Sequence, residues 1–213
     1  WKVVNHNFED CVIKSWNNFT INSLHGSHEM VNKRYPYQTI DSGLFYKKVI
    51  DSLKKNQNIQ FLKDINQLNT KNSFIFNSIS TNQIHDSNLW QHFKGIEIET
   101  QKNIFDDEIF NLMDFNCDQR NNVHFFYTLP FAKNKALVET TWLSKMNDKT
   151  LYDYDTQLEN YIKETLKIKN YKIKYEEEGA IPLFYPINKI EQNKINIGSA
   201  GCMTRISTGY TFL

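Results

Sequence analysis

A single carboxylate stands in the middle of an apolar, strand-like stretch. Glu139 lies within residues 136–143, where β-branched and aromatic side chains favour a strand over a helix. Alternation along a strand places Leu137, Glu139 and Thr141 on one face. If both faces are covered, burial disfavours the charged form and raises the pKa of Glu139, which makes it a proton donor to a bound substrate. The alternative is an edge-strand residue that points to water.

Three adjacent carboxylates form a second acidic feature. Glu176, Glu177 and Glu178 follow a strand-like segment at residues 171–175 and precede Gly179. Neighbouring like charges repel one another, and this favours exposure to water. From the residues alone, the run is most simply a solvated strand end.

A turn of small residues near the C-terminus could hold an anion or a cofactor. A predicted strand at residues 194–197 leads into Gly198-Ser199-Ala200-Gly201, and residues 207–210 resemble the start of a helix. Such a strand, turn and helix start would gather backbone N–H groups at one place. A purely structural turn remains equally open.

The elements that must position these residues are mostly strands, with two helices. Ser42 as a cap and an apolar face at helical spacing predict a helix that ends near residues 54–56, and a second amphipathic helix spans residues 156–168. Pro130 and residues 133–135 are expected to separate the two strands of a central hairpin. The predicted strands cover residues 2–4, 11–19, 59–62, 73–76, 95–100, 109–115, 123–129, 136–143, 171–175 and 194–197. This order predicts an α/β layer followed by an antiparallel sheet.

Composition limits the possible partners. The 213 residues include 25 basic and 24 acidic side chains, so the net charge is +1, and nucleic acid is not expected as the partner. Three isolated cysteines argue against a disulfide framework or a metal site. No apolar run is long enough to span a bilayer. The chain begins at Trp1 and ends at Leu213 within a helical pattern, and we expect an internal fragment of a longer protein.

Three motifs in order resemble the lycopene cyclase family of FAD-containing carotenoid enzymes. The first runs from WQHFKGIEIET through LMDFNCDQ to HFFYTLPFAKNKALVETTWLS, the second is YEEEGAIPL, and the third is GSAGCMTRISTGY. They are similar to the family's tryptophan–glutamine lead and acidic hairpin, its glutamate run, and its C-terminal flavin-contacting segment. Thr140 stands where the family has a second acid. The family's GxGxxG dinucleotide unit is absent, and we expect it upstream of Trp1.

The resemblance implies a fold and a reaction. The fold would be a truncated α/β (α+β) flavoprotein fold of the aromatic hydroxylase type, with an antiparallel substrate domain. Residues 1–37 and 81–187 would form the substrate part, and residues 38–80 and 188–213 the FAD-binding part. The reaction would be the non-redox cyclisation of lycopene, or another linear carotenoid, to β-ionone rings. It would use reduced FAD, with NAD(P)H as an external reductant, at a membrane surface in the cytoplasm. The fragment alone would bind FAD poorly and be inactive.

The resemblance also assigns roles to residues. The catalytic candidates are Glu139, Glu177 and Glu178. The cofactor-binding candidates are Gly198, Ala200, Gly201, Met203, Thr208, Gly209 and Tyr210, and the substrate-binding candidates are Phe126, Tyr127, Pro130 and Trp142. Plain core packing remains an alternative for each aromatic residue. Two other functions also stay open: a related FAD-dependent oxidoreductase, such as a prenyl reductase or hydroxylase, and a cofactor-free remnant.

Overall fold

The computed structural model combines eleven strands with two short helices in the part of the chain that it describes. That part comprises residues 7–67, 73–79, 88–185, 192–201, 203–207 and 209. The strands are β1 Val12–Trp16, β2 Asn18–Ser23, β3 Gly26–Val31, β4 Tyr37–Ile40, β5 Ile75–Asn77, β6 Leu89–Glu99, β7 Ile109–Asp114, β8 Val123–Ala132, β9 Lys135–Lys145, β10 Lys172–Pro182 and β11 Lys194–Asn196. Helix α1 is Ser42–Lys54, and α2 is Tyr154–Asn160, extended by a π-helical turn at Tyr161–Thr165. The mixed α+β class is confirmed.

A seven-stranded sheet forms the body of the molecule. Its strand order is β10-β6-β9-β8-β7-β2-β3. The antiparallel pairing predicted for the middle of the chain is present from β6 to β10. The sheet as a whole is mixed, because β2 runs parallel to β7.

The central hairpin is longer than the sequence predicts. Strand β8 pairs with β9 so that Tyr127 lies opposite Glu139. The prediction that Pro130 ends the first strand is wrong, because the strand continues to Ala132. The register shifts between Pro130 and Ala132, and such an irregularity accommodates a residue that cannot donate to the ladder.

The two faces of this sheet have different surroundings. On one side, which we call the helix face, α2 and the turn after it cover Ile98, Phe126 and Val138 with Leu158 and Ile162. Burial of these apolar side chains drives the packing of α2 on the sheet. The opposite side, the pocket face, carries the alternate residues of the same strands, including Gly95, Tyr127, Leu137 and Glu139.

Smaller elements lie beside the main sheet. Strand β1 pairs antiparallel with β4, and β5 pairs parallel with β11. Helix α1 is capped by Asp41, whose carboxylate accepts a 2.7 Å hydrogen bond from the Leu44 amide; Ser42, the predicted cap, is the first helical residue. Asp41 is therefore the cap, because its carboxylate accepts a hydrogen bond from the amide of the third helical residue.

One strand prediction is wrong, and another falls outside the described residues. Residues 59–62 are irregular, so the strand predicted there is wrong. Phe61 is 52% exposed, and these residues have no sheet partner that would bury their apolar side chains. The strand predicted at residues 2–4 falls outside the described residues.

Candidate active site

A pocket of about 370 Å³ opens on the pocket face of the sheet. Its walls come from β4, β6, β8 and β9, with one residue from β10 and one from the C-terminal segment. The described lining residues are Tyr37, Gln38, Thr39, Ile40, Gln91, Phe93, Tyr127, Leu129, Leu137, Glu139, Ile181 and Gly209. The wall is mainly apolar and aromatic, and Glu139 is the only carboxylate among these lining residues. Such a pocket suits a hydrocarbon substrate that meets one acid.

Glu139 occupies the environment that the sequence predicts. It lies on β9 with Leu137 beside it in the pocket wall. The pKa of Glu139 is raised to about 7, mainly because the carboxyl is buried; a hydrogen bond from Thr141 lowers it, and the negative charge of Glu177 raises it. The Thr141 hydroxyl donates that bond to Oε1 of Glu139 at 2.7 Å. A carboxyl with this pKa is substantially protonated near neutral pH, as a general acid must be.

Strand alternation places the three glutamates of the run on opposite faces of the sheet. It lies within β10, not at a strand end, and β10 pairs with β6 so that Glu177 is opposite Gly95. Glu177 is half-buried on the pocket face, and burial raises its pKa. Glu176 and Glu178 are exposed on the helix face, where Oε2 of Glu176 lies 3.2 Å from Nζ of Lys94. The structure therefore brings Glu177 toward Glu139 and leaves Glu178, a predicted catalytic residue, on the other side of the sheet.

Of the four predicted substrate-binding residues, Tyr127 lines the pocket. Phe126 and Trp142 lie on the helix face, where Phe126 stacks on Tyr161 with ring centroids 3.9 Å apart. Trp142 is fully buried and stacks on His124 at 3.7 Å. Pro130 is buried and lies outside the pocket wall. For Phe126 and Trp142 the core-packing alternative describes their position, because each faces α2.

The small-residue turn forms one turn of 3₁₀ helix, Gly198–Gly201. Gly198 has a φ of 58°, and no atom lies within 4 Å of the place where a Cβ would be. A Cβ on Gly201 would lie 2.4 Å from the Asn196 carbonyl oxygen, so this glycine is required by its own turn. Ala200 is buried and Met203 is 52% exposed. None of these four residues lines the pocket.

Gly209 is the member of the C-terminal segment that reaches the pocket wall. Its φ is 72°, and a Cβ there would lie 2.3 Å from Oε1 of Gln91. Gly209 therefore packs closely against Gln91 of β6 at the pocket. Thr208 and Tyr210, which were also predicted to bind a cofactor, lie outside the described residues, as does most of the predicted helix that follows.

Sequence reasoning missed Gly95 on the pocket face and two residues of the pocket wall, Gln91 and Thr39. Gly95 interrupts an alternating strand, which is a known sign of close approach by another group. Gln91 stands in the WQHF motif, but nothing in its type indicated a pocket position. The Thr39 hydroxyl is buried in the pocket wall and has no hydrogen-bond partner among the described residues, and such an orphan is costly unless something else binds it. No sequence signal identifies Thr39.

Two buried histidines of the helix face are hydrogen-bonded within the protein. The His92 ring nitrogens lie 2.6 Å from the Tyr154 hydroxyl and 2.7 Å from the Ser144 hydroxyl. His124 Nδ1 lies 2.8 Å from the Asp118 carbonyl. Burial lowers the pKa of both histidines to about 4. Both histidines are thus neutral, internally bonded parts of the core.

Two solved structures are similar in fold to this chain. A geranylgeranyl bacteriochlorophyll reductase-like protein from Thermoplasma acidophilum matches with a TM-score of 0.63 and 10% identity, over 93% of this chain and 58% of that one. A flavin-dependent brominase matches with a TM-score of 0.55 and 9% identity, over 88% of this chain and 55% of that one. These likenesses show the fold. The chain spans somewhat more than half the length of each structure.

No curated protein matches the sequence. Among the described residues, no helix has the length and apolar character needed to cross a bilayer. The model of the lycopene cyclase protein family matches residues 1–213, which is the entire chain. The protein belongs to the lycopene cyclase family.

Proposed function

We propose that this protein catalyses the acid-initiated, non-redox cyclisation of the end groups of lycopene to β-ionone rings. One observation carries the proposal: the pKa of Glu139 is raised to about 7 and its carboxyl faces an apolar, aromatic-lined pocket. An alkene is a weak base, so it needs a strong, positioned acid and an environment without competing water. Membership of the lycopene cyclase family supports the same substrate class.

The proposed reaction begins with proton transfer from Glu139. The π electrons of the terminal double bond take the proton, and a tertiary carbocation forms on the adjacent carbon. The next double bond attacks this cation, which closes the ring and moves the positive charge. Loss of one proton then gives the ring double bond, so atoms and electrons balance. The faces of Tyr37, Phe93 and Tyr127 in the pocket wall would stabilise the cation.

Glu177 is the proposed acceptor of the leaving proton. It lies on the same sheet face as Glu139, and burial raises its pKa, so it is a stronger base than an ordinary glutamate when ionised. Glu178 has no place in this step because it is exposed on the helix face.

The described residues fit a flavin at the pocket. The orphan Thr39 hydroxyl requires a polar partner, which a hydrocarbon cannot supply and the edge of a flavin ring can. Gly209 contributes bare backbone to the same wall, and Gly198 faces open space. Reduced FAD, when bound, would supply a negative field that stabilises a nearby cation. NAD(P)H would serve as the external reductant that keeps FAD reduced.

We propose the corresponding division of the chain. The parallel pairing of β5 with β11 supports grouping residues 38–80 with residues 188–213 as the FAD-binding part. Residues 1–37 and 81–187 would form the substrate part. Because a linear carotenoid is insoluble in water, the enzyme would act in the cytoplasm while bound to a membrane surface.

Carotenoid analysis tests the proposed function. The longest open reading frame that contains this chain is expressed in cells that accumulate lycopene, and pigments are separated by chromatography. We expect cyclic carotene from the wild type, and a loss of about 100-fold or more in Glu139→Gln. Glu178→Gln is the matched control, because it removes a carboxylate from the other face and should keep the activity. Hydrogenated lycopene would indicate a reductase, and unchanged lycopene with the wild type would contradict the proposal.

A further inference from the structure

Four residues form a row across the pocket face of the sheet. Glu177 of β10 is opposite Gly95 of β6, Gly95 is opposite Glu139 of β9, and Glu139 is opposite Tyr127 of β8. Neighbouring strands lie about 4.8 Å apart, so the backbones of the two glutamates are separated by roughly 10 Å. The residue between the two carboxylates is the one that has no side chain.

The space above Gly95 is filled by Glu177. A Cβ on Gly95 would lie 3.2 Å from Cγ and 3.3 Å from Oε1 of Glu177, and 3.2 Å from Cδ1 of Leu137. These distances are shorter than ordinary contacts, so a methyl group there would push against the Glu177 side chain. The Glu177 side chain therefore leans across Gly95, in the direction of Glu139.

The backbone does not require a glycine at this position. Positive φ values among the described glycines occur at Gly26, Gly198 and Gly209, and Gly95 is not one of them. A glycine inside a strand also weakens the strand, because it adds backbone freedom to the unfolded chain and packs no side chain. The use of Gly95 is therefore the space that it leaves for the side chains of Glu177 and Leu137.

The charge around Glu139 comes mainly from Glu177. The titratable residues of β4 and β8 in the pocket wall are Tyr37 and Tyr127. Strand β10 places Glu177 on the same face of the sheet, although Glu177 is not among the described lining residues. On β9, Thr141 adds a hydroxyl donor. None of the described lining residues is a lysine, arginine or histidine. No cation in the pocket wall therefore offsets the negative charge of Glu177.

We propose that Gly95 is a positioning residue, whose missing side chain lets Glu177 approach Glu139 so that the two carboxyls share one proton. The inference rests on the proposed function and adds a return step to it. After cyclisation, the proton accepted by Glu177 passes back across Gly95 to Glu139: one O–H bond breaks at Glu177 and one forms at Glu139. No proton is consumed over a cycle, which agrees with an isomerisation.

Titration of the Glu139 carboxyl by NMR tests this coupling without turnover. The side-chain carboxyls are labelled with ¹³C, and Glu139→Gln identifies the Glu139 signal. Glu177→Gln should lower the pKa of Glu139, since it removes a neighbouring negative charge. Gly95→Ala should also lower it, because the methyl group displaces the Glu177 carboxylate.

A double-mutant cycle separates coupling from simple crowding. In the Glu177→Gln background, Gly95→Ala should cause no further fall in the pKa of Glu139. Gly179→Ala is the matched control: its Cβ would lie 2.8 Å from the Phe93 ring, on the same face but against no carboxyl. We expect this control to leave the pKa of Glu139 unchanged.

Two results would overturn the inference. One is an equal fall in the pKa of Glu139 on Gly95→Ala with or without the Glu177 charge, and the other is an unchanged pKa in Glu177→Gln. If Gly95→Ala does not fold, the Glu177→Gln titration decides alone. A failure of the proposed function would show separately, as a wild type that leaves lycopene uncyclised while the two carboxyls remain coupled.

Discussion

Strand β9 carries Thr140 and Trp142 on the helix face and Glu139 on the pocket face, and the two faces give these side chains different surroundings. On the helix face, the Thr140 hydroxyl donates to Gln157 at 2.7 Å, and the Trp142 indole N–H donates to the same amide oxygen at 3.0 Å. On the pocket face, Glu139 has one hydroxyl donor and a like-charged neighbour. Polar groups of the first kind stabilise a single packed state, whereas a group of the second kind is left able to react.

The difference also appears in the protonation states. The buried histidines of the helix face are held neutral by a lowered pKa, whereas the pKa of the partly buried Glu139 on the pocket face is raised to about 7. In each case burial is the largest cause. The two faces therefore contribute opposite slopes to the dependence of stability on pH.

Removal of the largest helix-face side chain should have the largest effect on stability. Trp142 is fully buried, so Trp142→Ala should lower the free energy of unfolding by about 3–5 kcal/mol. Leu143→Ala is the control, because Leu143 is the next residue on β9, is partly exposed and faces the other side. Urea denaturation measures both variants. Equal losses would contradict the tighter packing of Trp142.

Glu139→Gln should change how stability depends on pH. The pKa of Glu139 is about 7 in the folded protein against an ordinary value of 4.5, so the folded state holds this proton more tightly. The stabilising contribution is complete below the ordinary pKa and is lost as the pH rises through about 7, by up to ~3 kcal/mol. The variant should therefore gain stability relative to the wild type between pH 5 and pH 8. A difference that stays constant with pH would argue against a buried acid.

His124→Gln should remove part of the opposite slope. The pKa of His124 is lowered from 6.5 to about 4 in the folded protein, so its contribution is present above pH 6.5 and is lost as the pH falls toward 4. The wild type should lose up to about 3 kcal/mol more than the variant over this range. Thermal unfolding at pH 4.5 and pH 7 compares the two. The pH dependence of His124→Gln would match the wild type if this histidine were solvated.

Thr141→Val should give the smallest effect of the series. The Thr141 hydroxyl bond to Oε1 lowers the pKa of Glu139, so its removal should raise that pKa further while the apolar volume is kept. The side-chain carboxyl titration used for Gly95 measures the change. A fall in the pKa of Glu139 would show that Thr141 does not stabilise the ionised form.

The hairpin and its acid could be predicted from local residues. Period-two alternation correctly placed Leu137, Glu139 and Thr141 on one face of β9, and the family motifs identified the family. Alternation alone does not say which face a helix will cover. The family resemblance suggested a substrate role for Phe126 and Trp142, with core packing as the alternative, and α2 and the segment before it bury them.

The register between strands could not be predicted from the sequence. The pairing of Glu177 with Gly95, and of Gly95 with Glu139, joins residues from three separate strands. The spacing along each strand contains no information about which rungs align, because the register also depends on the packed faces and on bulges. The pocket contribution of Thr39 depends in the same way on β4, which lies outside the main sheet.

The parallel pair β5·β11 has a consequence for biogenesis. Asn77 and Asn196 join these strands through a side-chain hydrogen bond across 119 positions of the chain. Contacts between such distant positions form late, and domains emerge from the ribosome with the N-terminal end first. Strand β11 can therefore pair with β5 only after β6 to β10 have been synthesised. Gly209, which follows β11, joins the pocket wall late in folding. Until then, nascent chains expose the apolar wall of the pocket, and chaperones can bind them there.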